Sequence, residues 1–547
     1  DGKSSNWLLQ QALKGLCCME HRGGCGGDSD SGDGAGLLCG IPWDLLSNIW
    51  PVIKNSSGSY GLGMIFMPQD PSKQEEARNF CEEEALALGL ITKGWRNVPV
   101  DPSTLGELAR KNAPFIEQWL VEAEPSLGSN ELEKIGYTRS EKIEVADLIL
   151  LNTCSIREKA EETVHNRLDS LHYLKKNNPK LLIGVIGCMA QNLKNELLSS
   201  KPYIDIILGP DSYRKISEII FDRNNQIDHI VDTKLSKYEV YENMFPSRKS
   251  GVNAWVSIMR GCDKFCTFCI VPFTRGRERS RTIDSIVEEI HLAVNQGFIE
   301  ITLLGQNVNS YKTPSGDFPV LLERVANIEG VKRIRYTSPH PRDINIDLLK
   351  VMKKYDNICK NIHLPLQSGS TKILKTMNRT YTKEEFLNLA KTIKEYLPNC
   401  SITTDIIVGF PGENDFDFNE TLEVVQQVEF DFSYMFKYSS RPGTKAAQYT
   451  NQIDEDIKQK RLEQLIELQN SIRLKVNKSK IGKVEKVLIE KNSKKSDLFW
   501  SGRTDGNIWT VIKKTDEKIK DIVDVLITDA KGVTLFGENI NNRGQIS

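Results

Sequence analysis

Arg260-Gly261-Cys262-Asp263-Lys264-Phe265-Cys266-Thr267-Phe268-Cys269 sets three cysteines in a C-x3-C-x2-C loop directly behind a predicted strand, Ala254–Met259. That strand opens a regular alternation. Further strands are predicted at Glu300–Leu304, Arg333–Thr337, Asn361–Leu366, Ser401–Val408 and Phe432–Tyr438, with amphipathic helices such as Ile283–Val294, Lys383–Tyr396 and Asp415–Gln427 between them. Six β–α units of this length predict an α/β partial barrel of parallel strands, a (βα)6 relative of the TIM barrel. The functional groups of such barrels come from the C-terminal ends of the strands, which is where the cysteine loop falls.

Three thiolates so spaced can hold three irons of a [4Fe–4S] cluster. The fourth iron is then open to S-adenosylmethionine, which chelates through its amino and carboxylate groups. Electron transfer into the sulfonium would cleave the C–S bond and release a 5′-deoxyadenosyl radical. A structural zinc site is the alternative, but it wants four ligands, usually as two pairs, and no fourth Cys or His lies close to this loop.

Upstream, from about residue 131, strand and helix also alternate. Asp147–Leu151 reads as a short strand ending at Asn152-Thr153-Cys154, a charged helix runs from Ser155 to about Lys176, and Leu181–Ile186 reads as a second strand ending at Gly187-Cys188. Cys154 and Cys188 thus stand at the C-terminal tips of predicted parallel strands, where open α/β sheets place ligands; two small buried thiols are the competing explanation. Phe245–Gly251 reads as a linker. The first 124 residues are Gly-rich early, and their later half reads as two or three helices around a strand at Tyr60–Met67. Downstream, a long charged helix, Asp454 to Lys475, leads into short alternating strands such as Lys486–Glu490, Ile508–Lys513 and Asp521–Thr528, which predict a small closed β-barrel of OB type.

The bulk numbers set the frame. A chain of 547 residues divides into three or four domains, and 27% charged with 39% hydrophobic residues is an ordinary globular composition. Net charge is −1, from 72 Lys+Arg against 73 Asp+Glu, so a nucleic-acid surface must come from local clustering. No run of eighteen apolar residues argues for a membrane span. The polar opening Asp1–Ser5 has neither a signal-peptide pattern nor an initiator Met, so a cytoplasmic chain that begins partway through an ancestral domain is expected. The chain has twelve cysteines; those that cluster are ligands or catalytic groups before they are disulfides, with the isolated Cys359 and Cys400 expected to be simply buried.

From about Glu131 to Glu538 the sequence resembles the MiaB-like tRNA methylthiotransferases. The matching stretches are Leu150–Arg157, Gly187-Cys188-Met189-Ala190-Gln191, the triple-cysteine loop, Leu303–Val308, His363–Ser370, Val408–Glu413 and Ser440–Thr444. The resemblance implies a flavodoxin-like methylthiotransferase domain at 125–247, a radical-SAM barrel at 248–477 and a C-terminal TRAM β-barrel at 478–543 that grips RNA. It implies methylthiolation at C2 of N6-(dimethylallyl)adenosine beside the anticodon, with two S-adenosylmethionine molecules consumed. One donates the methyl group and the other makes the radical, while sulfur arrives through a second [4Fe–4S] cluster. Cys262, Cys266 and Cys269 would hold the first cluster, and Gln367, Ser368, Gly409 and Glu413 would touch S-adenosylmethionine, a tight strand-to-helix turn being the other account of Gly409–Glu413. The implied partners are tRNA carrying dimethylallyl-adenosine, an electron donor such as flavodoxin and a sulfur donor, with a monomer expected.

The second cluster is where this sequence departs from the family. Cys154 and Cys188 match two of its three ligands, but the stretch Phe115–Pro125, where the first belongs, has no cysteine, and Cys81 is the nearest upstream. Residues 1–124 explain the gap: Met19–Gly24, Asp30–Gly36, Gly94–Pro99 and Phe115–Gln118 resemble an α+β fragment of the glutamate synthase amidotransferase domain. That family uses an N-terminal cysteine as nucleophile. Here residue 1 is Asp, so no glutaminase activity is expected, and His21 with its Gly-rich neighbours reads as turn-forming backbone.

Two basic groups complete the candidates. Arg275, Arg277, Arg279 and Arg281 would meet phosphates or the S-adenosylmethionine carboxylate, or form a solvated loop. In the last barrel Lys494, Lys495, Arg503 and Trp509 combine the charges and ring suited to RNA, or are ordinary solvated side chains. The alternatives to the main function are a methylthiotransferase acting on threonylcarbamoyl-adenosine or a ribosomal-protein aspartate, an inactive RNA-binding chimera, and a glutaminase.

Overall fold

The computed structural model describes residues 43–540 apart from 52, 54–59, 88, 89, 102, 104–109, 112, 124–131, 133–136, 141, 155–157, 225–228, 243, 247, 249 and 495. Asp1, Met19–Gly24, Asp30–Gly36 and Lys495 therefore lie outside the described residues. The chain divides into two compact units, 1–129 and 130–547.

In the first unit, α1 (Trp43–Ile49), β1 (Tyr60–Met67), α2 (Pro71–Ala87), β2 (Leu90–Asn97) and β3 (Phe115–Ala123) form an antiparallel sheet of order β1-β3-β2 with a helix against it. The expected strand at Tyr60–Met67 is present with a helix on either side of it in sequence, and two further strands join it that the sequence reading did not include. Pairing explains this: β3 sits between both neighbours, Trp95 and Trp119 stack at 5.0 Å, and Arg78 of α2 grips the buried Glu117 of β3 at 2.8 Å. Contacts of that kind stabilise strands that local sequence signals only weakly.

The second unit opens with β4 (Leu148–Thr153), α3 (Glu158–Asn177), β5 (Leu182–Gly187), α4 (Cys188–Ser200), β6 (Ile206–Leu208), α5 (Ile216–Asn224) and β7 (Ile230–Asp232), whose strands form one parallel sheet in sequence order. The apolar residues of β5 are buried on both faces, as a parallel strand between helices requires.

Six parallel strands follow: β8 (Asn253–Ser257), β9 (Glu300–Leu304), β10 (Arg333–Tyr336), β11 (Asn361–His363), β12 (Ser401–Val408) and β13 (Phe432–Lys437). They form two three-stranded sheets, with a single bridge from Ile334 to Ile358 joining them. The helices between them are α6 (Val271–Arg275), α7 (Ile283–Asn295), α8 (Phe318–Ala326), α9 (Ile346–Lys354), α10 (Thr371–Thr376), α11 (Lys383–Tyr396) and α12 (Asp415–Val428), followed by α13 (Glu455–Lys478). Alternate strand residues such as Val256, Ile301, Ile334, Ile362 and Ile406 pack into the helix layer, each adding about 1.5–3 kcal/mol by burial. Their neighbours, among them Trp255, Thr302, His363 and Asp405, line the concave side of the barrel.

A closed five-stranded barrel ends the unit, β14 (Val484–Asn492), β15 (Phe499–Thr504), β16 (Trp509–Lys513), β17 (Ile522–Lys531) and β18 (Thr534–Asn539), in the order β14-β15-β16-β18-β17. It docks on the N-terminal ends of the central strands. Arg333 and Arg335 donate to the backbone carbonyls of Lys486, Arg503, Thr504 and Asp505. Arg503 answers by reaching Glu300 at 3.1 Å.

Candidate active site

Gly261 makes the cysteine loop possible. Its φ is +79°, and a Cβ there would stand 2.0 Å from the carbonyl oxygen of Arg277, so any side chain would collide with backbone. The close approach lets the loop be fastened on several sides. Gln306 Oε1 accepts from the Gly261 N–H at 2.8 Å, the Cys262 N–H donates to Gly276 at 3.1 Å, and the Thr267 N–H donates to Met377 at 3.0 Å.

The structure brings Cys262, Cys266 and Cys269 together in this loop, close enough that Cys266 bears on the thiols of both Cys262 and Cys269. Burial pushes the Cys262 thiol up to about 11, with Glu278 and Cys266 adding to it. Burial pushes Cys269 up to about 12, again with Cys266 adding. Among the described residues no three His, Cys, Asp or Glu side chains converge on one point as ligands of a single metal ion would. Around the rim, Lys264 pairs with Asp343 at 2.7 Å, and Asn307 donates to Glu278 and Asp343 at 3.1 and 2.9 Å. The Oδ1 of Asn307 is buried with no partner.

Arg379 lies beneath the loop. Its Nη1 is 3.4 Å from Cys266 Sγ, its Nε donates to the Tyr381 hydroxyl at 3.0 Å, and its Nη2 donates to the Pro365 carbonyl. Burial works against its charge, but Tyr381 and Cys266 outweigh burial and hold the guanidinium above its ordinary range. Sequence reasoning passed over Arg379, because its contact with Cys266 spans 113 positions.

Cys154 and Cys188 stand at the ends of β4 and β5, as expected, the first exposed and the second buried. Arg275 Nε points at Cys188 Sγ from 2.9 Å. Burial opposes that charge too, and Cys188, Tyr213 and Cys154 together outweigh it. Arg275 is the last residue of α6, which begins two positions after Cys269. One short helix therefore spans the interval between the two cysteine sets.

The remaining candidates lie on the strand-to-helix turns. Gln367 has φ +67° and its backbone bridges to β12. Ser368 is fully buried, with its Oγ accepting from the Ser370 N–H at 3.2 Å. Gly409 has φ +70°, and Glu413 Oε1 accepts from the Gly409 N–H at 2.8 Å and from Arg461 at 2.9 Å. Burial pushes Glu413 up to about 7 against the pull of Gly409 and Arg461.

Most of the basic candidates are otherwise engaged. Arg281 is buried against Glu289 at 2.5 Å, and Arg279 against Asp211 at 3.2 Å, so neither is available to a phosphate. Arg277 alone of the four is well exposed, lying over Phe265 and pairing with Asp263 at 2.9 Å. Arg503 reaches Glu490 at 2.5 Å besides Glu300, which corrects the expectation that it faces RNA. Trp509 does face outward. With Lys491, Lys494, Phe499 and Phe536 it lines a concavity of about 710 Å³, and Lys491 Nζ lies 4.4 Å over its ring. Cys359 and Cys400 are buried, as expected.

Four family models match the chain: glutamine amidotransferases class-II over 1–156, the uncharacterized protein family UPF0004 over 122–209, the radical SAM superfamily over 256–425 and the TRAM domain over 478–540. Among curated relatives, the tRNA-2-methylthio-N(6)-dimethylallyladenosine synthase of Christiangramia forsetii is 45% identical over 430 residues, 75% of this chain and 89% of the relative. The synthase of the same name from Acetivibrio thermocellus is 43% identical over 411 residues, 74% of this chain and 86% of its own. The chain belongs to this synthase family. A further synthase, from Clostridium botulinum, is 42% identical over 449 residues and covered over 98% of its length. Among solved structures, a radical S-adenosylmethionine methyltransferase from Kitasatospora setae, with cobalamin and a [4Fe–4S] cluster bound, is similar over 55% of this chain and 66% of its own, at 12% identity and a TM-score of 0.45. The radical SAM match spans all three loop cysteines, Arg275 and Arg379, and the UPF0004 match spans Cys154 and Cys188.

Proposed function

We propose that the chain carries the radical S-adenosylmethionine machinery that converts N6-(dimethylallyl)adenosine beside the anticodon of tRNA to its 2-methylthio derivative, with the second cluster, at Cys154 and Cys188, limiting methylthio transfer in this chain. The observation that carries this is the fastened loop of Cys262, Cys266 and Cys269 at the C-terminal ends of the barrel strands, within a chain of the synthase family. The donor set suits a [4Fe–4S] cluster with one open iron. It is all sulfur, and each thiolate would take a different iron, so the three need not converge on a point. The unpartnered Oδ1 of Asn307 beside the loop offers an acceptor for a polar group placed there. When bound, the cluster and S-adenosylmethionine supply reductive opening of the sulfonium and a carbon radical able to take hydrogen from C2 of the adenosine.

The chain's own residues hold and shield that chemistry. Gln306 and Gly276 fix the loop, and Arg379 keeps a buried positive charge and an N–H against Cys266. Gln367 and Gly409 are assigned to S-adenosylmethionine, with the buried Ser368 and Glu413 acting through the turns they close rather than by direct contact. The concavity around Trp509 is assigned to tRNA, its rings to a base and Lys491 and Lys494 to phosphates. The domains doing this are assigned to 125–247, 248–477 and 478–543, behind an amidotransferase-like segment at 1–124. A flavodoxin-type electron donor, a separate sulfur donor, a monomeric state and a cytoplasmic setting complete the assignment; among the described residues no helix is long and apolar enough to cross a membrane.

Cys154 and Cys188 are assigned as two ligands of a second cluster. The residues present do not make up a three-cysteine set, because the sequence holds no cysteine from residue 82 to residue 153.

Anaerobic reconstitution tests the central assignment. The protein should take up about one stable [4Fe–4S] unit at the loop and cleave S-adenosylmethionine to 5′-deoxyadenosine under reduction. Cys266→Ala should abolish both, and cleavage persisting at the original rate in that variant would sink the assignment.

A further inference from the structure

Three arginines of the cysteine-loop segment reach into the domain that carries Cys154 and Cys188. Arg260, directly before Gly261, donates from Nη2 to the Pro210 carbonyl at 2.6 Å and pairs with Asp211 at 3.0 Å. Its guanidinium also lies 4.4 Å over the Tyr241 ring. Arg279 closes on both oxygens of the same carboxylate, at 3.2 and 3.3 Å, and bonds the Ser236 carbonyl. Arg275, between them, holds Cys188. The Asp211 side chain is fully buried, as nearly are both arginines that meet it.

Two buried guanidinium groups at this junction take their counter-charge from Asp211. It is the one carboxylate shared by Arg260 and Arg279, and each of those arginines already has a buried nitrogen with no partner, Nη1 of Arg260 and Nε of Arg279. Removing a buried counter-charge leaves its partners desolvated and uncompensated, a large penalty that moving apart into water relieves. The two elements that would move apart are the cysteine loop and the α/β sheet behind it.

We propose that Asp211 is the positioning residue that sets the separation between the two cysteine sets. It clamps both flanks of the Cys262–Cys269 loop, through Arg260 before it and Arg279 after it, to the domain whose strands end in Cys154 and Cys188. Arg275, at the end of a five-residue helix about 7.5 Å long at 1.5 Å per residue that begins two positions after Cys269, then meets Cys188. The value of a fixed separation to the reaction rests on the methylthiotransferase function proposed above; the clamp itself does not.

Thiol cross-linking of the full-length, metal-free chain tests this without turnover. A short bifunctional thiol reagent followed by peptide mass spectrometry reports two yields: bridges between the sets, from the exposed Cys154 to any loop cysteine, and bridges inside the loop, Cys262 to Cys266. In Asp211→Ala and Asp211→Asn the between-set yield should fall roughly tenfold relative to the within-loop yield, as release of an uncompensated buried pair predicts. Asp211→Glu, which keeps the charge, should recover part of it. Asp205→Asn, equally buried in the same domain but paired with Lys175, controls for general loosening and should leave the ratio unchanged. An unchanged ratio in Asp211→Ala, or the same fall in Asp205→Asn, would overturn the proposal. Loss of S-adenosylmethionine cleavage in the reconstituted Cys266→Ala protein bears on the function alone, so the two can fail separately.

Discussion

Arg275 aims its Nε at the Sγ of Cys188 from 2.9 Å, joining the helix that leaves the cysteine loop to the strand end of the preceding domain. A guanidinium buried in this way is stabilised only by what it touches. A hydrogen bond involving a charged group contributes about 1.5–3 kcal/mol. Arg275→Leu should therefore lower the unfolding free energy of the metal-free protein by about 2 kcal/mol. Denaturant titration of the full chain checks this, and a change under ~0.5 kcal/mol would mean that the N–H···S contact contributes nothing.

That contact also marks what sequence can and cannot disclose. The barrel strands were legible because each is a short apolar run between amphipathic helices; Ser401–Val408 and Lys383–Tyr396 fall on their predicted bounds. Thr382 and Glu385 close a capping box at the start of the latter helix. The strands that were missed lack such a signal. Phe499–Thr504 carries Gly502 and Arg503 where alternation should continue, and Gly502 is tolerated because β14 passes so close that a Cβ would meet the Leu488 carbonyl at 2.1 Å. The basic candidates were misjudged for a different reason. A basic side chain looks free in sequence, whereas Arg279 is held by Asp211, 68 positions away, and one of the two carboxylates on Arg503 is Glu300, 203 positions away. Pairing of that kind is a property of the fold.

The Glu300 junction yields its own prediction. Glu300 is fully buried between Arg335 and Arg503, and removing one partner of such a group costs about 3–5 kcal/mol. Glu300→Gln should loosen the terminal barrel from the central one, seen as faster proteolysis between residues 478 and 484 and a separate early unfolding transition. Arg503→Ala should do the same. It should leave the salt dependence of tRNA binding unaltered, because a residue that contacts no phosphate releases no counter-ion. A shallower salt slope in Arg503→Ala would return that residue to the RNA face.

His340 predicts a pH dependence. It is buried, and burial together with the nearby charges of Arg379, Lys264 and Arg342 holds its pKa down to about 2. The ring is neutral in the fold, and its Nδ1 accepts from the Arg342 N–H at 3.2 Å. The unfolded chain binds the proton near pH 6.5 and the folded chain does not, so the contribution of His340 is complete above pH 6.5 and is lost as pH falls below it. The loss is at most about 1.4 kcal/mol per pH unit. His340→Asn keeps an acceptor at this capping position and removes the titration. Between pH 7.5 and 5 the parent protein should lose about 1–2 kcal/mol more than the variant. Equal losses would place the acid sensitivity elsewhere.

The sharpest prediction separates radical formation from methylthio transfer. Cys154 and Cys188 follow the paired strand ends Thr153 and Gly187, but the sequence offers no third cysteine from residue 82 to residue 153. An oxygen ligand in place of a thiolate would leave a second cluster labile, since iron–sulfur clusters favour soft sulfur donors. The loop of Cys262, Cys266 and Cys269 does not depend on that site. The chain as written should therefore make 5′-deoxyadenosine from S-adenosylmethionine under reducing conditions, yet transfer little methylthio group to tRNA bearing the dimethylallyl group. Exchanging residues 1–130 for the opening strand and cysteine of a related synthase should restore transfer. The comparison is read as 2-methylthio nucleoside formed per 5′-deoxyadenosine, by mass spectrometry of digested tRNA. If the unmodified chain matches the exchanged one, another residue completes the cluster, and Cys81→Ala in the unmodified chain then asks whether that residue is Cys81.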